Sequence, residues 1–79
     1  MTEVKLPELS EGVSQAIVSM WHYSEGDLIK KDADLVELVT DKATFNLPSP
    51  VSGKVKKIMF NEGETVHVGD VLVVIEENG

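Results

Sequence analysis

The feature that most constrains the fold is an internal repeat, which is seen when the sequence is shifted against itself by 37 positions. The shift places Glu25-Gly26 on Glu62-Gly63 and the apolar segment 35–38 on the segment 72–75. Two similar halves imply an approximate two-fold axis. Because one half alone cannot hide an apolar face from water, we expect the halves to pack face to face and neither half to fold by itself.

Short apolar runs rich in Val and Ile, separated by Gly, Asp, Asn and Pro, predict β-strands along the chain. No segment keeps apolar residues at helical spacing over several turns between capping residues, so no helix is predicted. Trp21 is interpreted as a half-buried strand residue, and Met20 and Met59 as core residues. The predicted strands are Val4 to Leu6, Ala16 to Tyr23, Leu35 to Thr40, Ala43 to Leu47, Lys54 to Phe60 and Val71 to Glu76.

Size and charge limit the number of domains and the kinds of partner that this all-β chain can have. Its 79 residues suffice for a single domain, residues 1–79, and the absence of cysteine leaves no disulfide to stabilise a small core. Fourteen acidic residues against seven lysines give a net charge of −7, which repels phosphate backbones and anionic membranes. No apolar run approaches the roughly 20 residues of a membrane span. We therefore expect neither nucleic acid nor a membrane as a partner.

Candidate metal-binding and catalytic residues are scarce. His22 and His67 are isolated from each other and lack the H-E-x-x-H spacing of a zinc site. The serines lack a G-x-S-x-G setting, and Gly53-Lys54 lacks the upstream glycine of a phosphate-binding loop. We expect no metal site and no intrinsic catalytic site.

The segment 35–47 predicts a tight β-hairpin with the two-residue loop Asp41-Lys42. Opposed side chains share a face, so this loop separates an apolar face from a mainly polar one, whereas a three-residue loop centred on Lys42 would mix them. Asp41 suits the turn because its short side chain can bond nearby backbone and tolerate unusual dihedral angles. Lys42 then stands at the apex. The predicted opposed pairs are Thr40 with Ala43, Val39 with Thr44, Leu38 with Phe45, Glu37 with Asn46, and Val36 with Leu47.

The run Thr40-Asp41-Lys42-Ala43-Thr44, followed by Pro48-Ser49-Pro50-Val51-Ser52-Gly53, resembles the attachment region of lipoyl domains. These domains belong to the acyltransferase components of 2-oxo acid dehydrogenase complexes. The likeness extends across almost the whole chain. Gly26 lies sixteen residues before the lysine and Gly53 eleven after it, a spacing that also resembles the family's. The opening Leu6-Pro7-Glu8-Leu9-Ser10-Glu11-Gly12 is also similar to the family's first strand and loop. The resemblance departs at Val39, where many members have Glu.

The resemblance implies a flattened β-barrel or sandwich of two four-stranded antiparallel sheets with quasi two-fold symmetry, a barrel-sandwich hybrid. Lys42 is expected at one end of the domain, and the symmetry predicts that Gly79, its counterpart at the offset of 37, lies at the opposite end. The resemblance has a further implication for the lysine. It implies lipoic acid in amide linkage on Lys42, with Asp41 and Ala43 serving ligase recognition and turn geometry. The domain would be a non-catalytic carrier whose swinging arm serves reductive acylation and acyl transfer to coenzyme A.

The partners that the resemblance implies are a lipoate ligase or lipoyl transferase, the decarboxylating 2-oxo acid dehydrogenase component, dihydrolipoamide dehydrogenase and the acyltransferase catalytic domain. The chain is expected to be an N-terminal piece of a dihydrolipoamide acyltransferase or a free-standing carrier. Its expected location is the bacterial cytoplasm, or the mitochondrial matrix in a eukaryote, with the cytoplasm favoured. Lipoylation requires the neutral amine of Lys42. Asp41 is rejected as the general base for this step because a nearby carboxylate favours the charged ammonium. The ligase is therefore expected to supply the deprotonation.

Three alternatives stay open. A biotinyl carrier domain shares the fold but is expected to have methionines beside its lysine, where this chain has Asp41 and Ala43. The glycine-cleavage carrier protein also uses a lipoyl-lysine, but it is longer and lacks the Asp-Lys-Ala arrangement. In a different class, an unmodified acidic β-domain would bind a protein partner through its charged surface, and Lys42 would be ordinary.

Overall fold

The computed structural model describes residues 1–77, and its regular structure consists of eight β-strands. Within these residues, no helix is long and apolar enough to cross a membrane. The strands are β1 (Thr2–Lys5), β2 (Gln15–Trp21), β3 (Leu28–Ile29), β4 (Asp34–Val39), β5 (Thr44–Pro48), β6 (Gly53–Ile58), β7 (Thr65–His67) and β8 (Val71–Glu77). The all-β prediction is confirmed.

The strands form two four-stranded sheets in which every neighbouring pair is antiparallel. Sheet 1 has the order β1-β8-β6-β3, and sheet 2 has the order β5-β4-β2-β7. The predicted sandwich of two antiparallel sheets is therefore confirmed. The six predicted strands are also present, with ends that differ by at most two residues from those expected.

The repeat organises both sheets. A shift of 37 positions carries β2 onto β6, β3 onto β7 and β4 onto β8, while the edge strands β1 and β5 occupy equivalent places. Under this correspondence the two sheet orders are identical. The halves are interlocked, however, because each sheet contains two strands from each half. Sheet 1 takes β1 and β3 from the first half, and sheet 2 takes β5 and β7 from the second. The sheets that face each other therefore do not correspond to separate halves of the chain.

Two carboxylates fasten the halves together in equivalent ways. Glu25 Oε2 accepts a hydrogen bond from the backbone N–H of Ile58 at 2.8 Å. Glu62 Oε2, which is 37 positions further on, accepts one from the backbone N–H of Trp21 at 3.1 Å. Each carboxylate thus binds the end of a long strand in the other half, since Trp21 ends β2 and Ile58 ends β6.

The backbone beside these carboxylates repeats in the same way. Gly26 donates to the Val55 carbonyl at 2.8 Å, and Gly63 donates to the Val18 carbonyl at 2.7 Å. Both glycines have positive φ, +96° and +92°, which side chains rarely tolerate. The shared Glu-Gly dipeptide therefore supplies a left-handed turn and a carboxylate anchor in each half.

The core fills the space between the sheets with aliphatic side chains from both halves. It contains no aromatic residue, but Trp21, Tyr23 and Phe60 pack against it while partly exposed. The described buried hydrophobic residues of this cluster are Val4, Leu6, Ala16, Val18, Ile29, Leu35, Val36, Leu38, Leu47, Val55, Val66, Leu72, Val73 and Ile75.

The core assignment of two methionines was wrong, since Met20 and Met59 are each 44% exposed. The register of β2 against β4 shifts between Val18 and Met20. A residue inserted into one strand turns the following side chains to the other face, so Met20 faces outward and Trp21 is half-buried. Met59 lies beyond the end of β6, just before Phe60. The prediction for Trp21 is confirmed.

Candidate functional site

The hairpin formed by β4 and β5 has the register that the sequence predicted. Val39 pairs with Thr44, Leu38 with Phe45, Glu37 with Asn46, and Val36 with Leu47. Thr40 closes the loop by donating its backbone N–H to the Ala43 carbonyl at 2.9 Å. The loop therefore consists of Asp41 and Lys42, and the three-residue alternative is excluded.

The two faces of the hairpin differ as expected. Val36 and Leu38 are fully buried, Leu47 is nearly so, and Phe45 is half-buried. On the opposite face the side chains are exposed or half-buried. Because a slip by one residue would expose this apolar face, core packing holds Lys42 at the tip.

Thr40 organises the turn. Its Oγ1 accepts hydrogen bonds from the backbone N–H groups of Lys42 at 3.2 Å and Ala43 at 3.0 Å. The same hydroxyl donates a hydrogen bond to the Ala43 carbonyl at 2.9 Å. Two-residue hairpins usually need positive φ in the loop. Neither Asp41 nor Lys42 has positive φ, and the Thr40 hydroxyl accepts the Ala43 N–H. The threonine side chain thus allows a tight turn without strained dihedral angles.

The reason predicted for Asp41 in the turn is partly wrong. Its φ is not positive, so tolerance of unusual dihedral angles is not what suits it to the turn. The side-chain hydrogen bonds found at this turn come from Thr40. Asp41 is exposed beside the lysine, where its carboxylate is available to a recognising enzyme. The recognition roles of Asp41 and Ala43 remain predictions.

Lys42 presents its amine to solvent at the apex of the hairpin. The residue is exposed, and the ion pairs found within residues 1–77, Lys56 with Glu76 and His67 with Asp70, do not include it. Its Nζ lies 3.8 Å from the position that a Cβ at Gly12 would occupy. Gly12 belongs to the loop between β1 and β2 and has a φ of +80°. The amine is therefore accessible beside a neighbouring loop.

Sequence reasoning missed two contributors to this site. The sequence places Thr40 at the end of a strand and in the lipoyl-like motif, but no role in the turn is predicted for its hydroxyl, although a threonine before a short loop is a recognised side-chain turn former. Gly12 enters the sequence prediction only as the last residue of the opening motif 6–12. A glycine in a polar loop predicts a turn, but nothing in its position along the sequence places that turn beside Lys42.

The residues after the hairpin hold its base in place. Ser49 is fully buried, and its hydroxyl donates to the Val51 carbonyl at 2.7 Å. Its backbone N–H donates to the Ala33 carbonyl at 2.9 Å, and its carbonyl accepts from Asp32 at 2.8 Å. The Pro-Ser-Pro segment is thereby tied to the turn that begins β4, so both strands of the hairpin share one support.

Gly53 permits a close approach of two strands. It pairs with Ile29 on one side and Glu77 on the other. A Cβ at Gly53 would collide with the Glu76 carbonyl oxygen. The glycine found eleven residues after Lys42 is thus required by sheet packing, without positive φ.

The two histidines lie apart, since His22 follows the end of β2 and His67 ends β7. His22 Nε2 is 3.0 Å from Asn46 Oδ1, whereas His67 Nδ1 is 3.8 Å from Asp70 Oδ2. Within residues 1–77 there is no cluster of three or more His, Asp or Glu side chains that could hold a metal ion.

The expected position of Gly79 falls outside the described residues, so that prediction is untested. The last described strand, β8, begins beside the Gly12 loop, since Val68 donates to the Ser14 carbonyl at 3.0 Å just before Val71. It then runs about 20 Å away over its seven residues. At its far end Glu77 accepts a hydrogen bond from the Thr2 hydroxyl at 2.8 Å.

Comparisons with known proteins agree with this geometry. The family model described as Biotin-requiring enzyme matches residues 2–75. The succinyltransferase component of the 2-oxoglutarate dehydrogenase complex of Bartonella vinsonii subsp. berkhoffii is 44% identical over 95% of the chain. The lipoamide acyltransferase component of the branched-chain alpha-keto acid dehydrogenase complex of Pseudomonas putida is 41% identical over 96% of it. The chain spans only 18% of the length of each of these relatives.

Solved structures give the same result at the level of the fold. The lipoyl domain of the 2-oxoglutarate dehydrogenase complex from Azotobacter vinelandii superposes with a TM-score of 0.79 at 31% identity, with 98% of each chain covered. A region of a single-chain, multi-domain long-chain acyl-CoA carboxylase superposes with a TM-score of 0.82 at 20% identity. That match covers 99% of this chain and 7% of the carboxylase, and it shows the fold alone. The chain belongs to the family of biotin-requiring enzymes, and within it to the lipoyl domains, which are non-catalytic carriers of a covalently attached prosthetic group.

Proposed function

We propose that Lys42 carries lipoic acid in amide linkage, and that the domain presents this group as a mobile arm within a 2-oxo acid dehydrogenase complex. The observation that carries the proposal is the exposed primary amine at the tip of a hairpin whose register is fixed by the core. A ligase can approach such an amine with little steric hindrance. No neighbouring carboxylate forms an ion pair with it among the described residues.

The other lysines are less suitable, although they are also exposed. Lys5 lies in β1, and Lys54, Lys56 and Lys57 lie in β6, where side chains project from a sheet. Lys30 and Lys31 follow the short strand β3, and the Lys31 backbone N–H is bonded to the Ser52 hydroxyl at 2.8 Å. Only Lys42 lies in the two-residue loop of a hairpin within residues 1–77.

The residues around Lys42 suit attachment and presentation. Thr40 and the buried face of the hairpin hold the backbone of Lys42 rigid, while the long side chain above it is free to rotate. The amine must be deprotonated before it can attack an activated carboxyl, and we assign that step to the ligase. When bound, the dithiolane supplies the redox and acyl-carrying chemistry. The chain contributes a fixed tether, which raises the effective concentration of the arm at nearby active sites.

Two observations favour lipoic acid over biotin. The side chains beside the lysine are Asp41 and Ala43, whereas methionines are expected in a biotinyl carrier. The two curated relatives described above are acyltransferase components of 2-oxo acid dehydrogenase complexes, and the Azotobacter structure is a lipoyl domain. The proposed partners are accordingly a lipoate ligase or transferase, the decarboxylating dehydrogenase component, dihydrolipoamide dehydrogenase and an acyltransferase catalytic domain. We also propose that residues 1–79 form one carrier domain located in the bacterial cytoplasm.

The test is the intact mass of the protein after incubation with lipoate, ATP and a lipoate ligase. We expect one lipoyl increment in the unaltered chain and none in Lys42→Arg, which keeps the charge but removes the nucleophilic amine. Lys30→Arg and Lys31→Arg are matched controls that should retain the increment. Circular dichroism should show that all three variants are folded.

A parallel incubation with biotin and a biotin ligase distinguishes the runner-up. A biotinyl increment without a lipoyl one would select the biotinyl carrier. If neither increment forms on the folded chain, the proposal is wrong and the unmodified interaction module gains support. An increment that persists in Lys42→Arg would move the attachment to another lysine.

A further inference from the structure

An open groove of about 520 Å³ lies directly beside the Lys42 hairpin. Its walls are residues 12–17, from the loop before β2 and the start of that strand, and residues 39–41, from the end of β4 and the turn. The Lys42 Nζ lies 3.8 Å from the Cβ position of Gly12, which is one of the lining residues. A group attached to this amine would therefore start at the edge of the groove.

The lining of the groove contains an exposed apolar pair. Ile17 and Val39 are register partners in β2 and β4, and they are 47% and 37% exposed. Cross-strand partners have Cβ atoms about 5 Å apart, so the two side chains form one continuous surface. Val39 occupies the position at which the sequence departs from the Glu of many lipoyl domains. In this chain the surface beside the amine is therefore apolar.

The rest of the lining suits an amide-linked hydrocarbon chain. Ser14, Gln15 and Thr40 provide polar groups at the walls, and Asp41 is the only charged residue in the lining. An aliphatic chain with a sulfur heterocycle gains free energy when it leaves water for such a surface. An amide at its root can keep its hydrogen bonds to solvent at the open side. The chemistry of the groove thus matches a lipoyl group.

We propose that the groove between the Gly12 loop and β4 is a docking site for the lipoyl group carried by Lys42, with Ile17 and Val39 as its main contacts. This inference rests on the proposed attachment to Lys42. The arm exchanges between a docked state, in which the dithiolane is shielded from solvent, and an extended state that visits partner enzymes. No covalent step is involved, because docking changes only the exposure of the group.

The first test is nuclear magnetic resonance of the lipoylated domain with labelled methyl groups. We expect nuclear Overhauser contacts between dithiolane protons and the methyl groups of Ile17 and Val39. Chemical-shift changes upon lipoylation should follow residues 12–17 and 39–41. Leu28, which is 70% exposed at the edge of sheet 1, is the control and should show neither effect.

The second test is the rate at which a water-soluble phosphine reduces the dithiolane. If the group is docked about two-thirds of the time, the lipoylated domain should react about threefold more slowly than free lipoamide. The double variant Ile17→Thr/Val39→Thr should restore the faster rate, whereas Leu28→Thr should not. Threonine keeps the β-branched shape that strands favour, so the variants should fold.

The outcomes separate the two proposals. A domain that gains the lipoyl increment but shows no methyl contacts, and whose dithiolane reacts as fast as free lipoamide, overturns the docking site and leaves the attachment intact. Failure to gain the increment overturns the attachment itself, and with it the docking site.

Discussion

Gly53→Ala is the substitution that most directly tests the packing of sheet 1. Gly53 is buried in β6 between β3 and β8, and it pairs with Ile29 and Glu77. The added methyl carbon would collide with the carbonyl oxygen of Glu76 and lie 3.0 Å from the Glu77 Cα. Both contacts are with backbone, so no side chain can rotate away. The end of β8 must move instead.

The cost follows from what that movement disrupts. Forcing an extra carbon into a packed site costs about 1–3 kcal/mol, and weakening two backbone hydrogen bonds at the end of the β6–β8 ladder adds about 0.5 kcal/mol for each bond. We expect a loss of about 3 kcal/mol in the free energy of unfolding. A domain of this length is typically stable by only about 4–12 kcal/mol. The melting temperature should therefore fall by about 10–25 °C.

Urea denaturation monitored by Trp21 fluorescence measures this loss. Trp21 is the only tryptophan, and its indole N–H donates to the Phe60 carbonyl at 2.9 Å, so unfolding changes its surroundings. Gly63→Ala is the control, because its Cβ would meet open space and only its φ of +92° opposes it. That variant should lose about 1 kcal/mol. If Gly53→Ala loses no more than Gly63→Ala, the steric argument is refuted.

Three further predictions use the same denaturation assay. Thr40→Val should lose about 1 kcal/mol in the free energy of unfolding, because the turn loses its hydroxyl. The variant should also gain the lipoyl increment more slowly. Thr44→Val, on the exposed face, is the control and should change neither the stability nor the rate of lipoylation. Ser49→Ala should lose about 1 kcal/mol, since the partly buried Val51 carbonyl loses its donor; an unchanged midpoint would contradict this. Glu25→Ala and Glu62→Ala should each lose about 1 kcal/mol, and a large difference between them would contradict the equivalence of the two anchors.

The hairpin could be predicted from the sequence because two constraints agree within a dozen residues. Alternation of apolar and polar side chains in segments 35–40 and 43–47 permits only one register with a buried face, and the loop length follows from it. The observed pairs match that register. The exposed position of Lys42 is a direct consequence.

The short strands β3 and β7 could not be predicted in the same way. They contain two and three residues, too few to show alternation. Their pairing depends on the other half of the chain, since β3 joins β6 and β7 joins β2. Local sequence carries little information about a partner more than twenty residues away. The equivalence of β3 and β7, which lie 37 positions apart, is seen only in the strand orders of the two sheets.

The error at Met20 has a physical cause and an overlooked indication. The register shift between Val18 and Met20 has a counterpart between Val55 and Lys57, 37 positions further on. The repeat therefore aligns Met20 with a lysine. A lysine at the equivalent position indicates a solvent-facing site, so a comparison of the two halves could have corrected the assignment.

Because each sheet contains strands from both halves of the chain, the order of synthesis limits when the domain can fold. A ribosome that adds about 5–20 residues per second delivers the hairpin of β4 and β5 about one to four seconds before β7. Throughout that interval sheet 2 lacks β7 and sheet 1 lacks β8. Cooperative closure must await the last strand. An attachment enzyme that requires the finished domain therefore acts only after β8 has emerged from the ribosome.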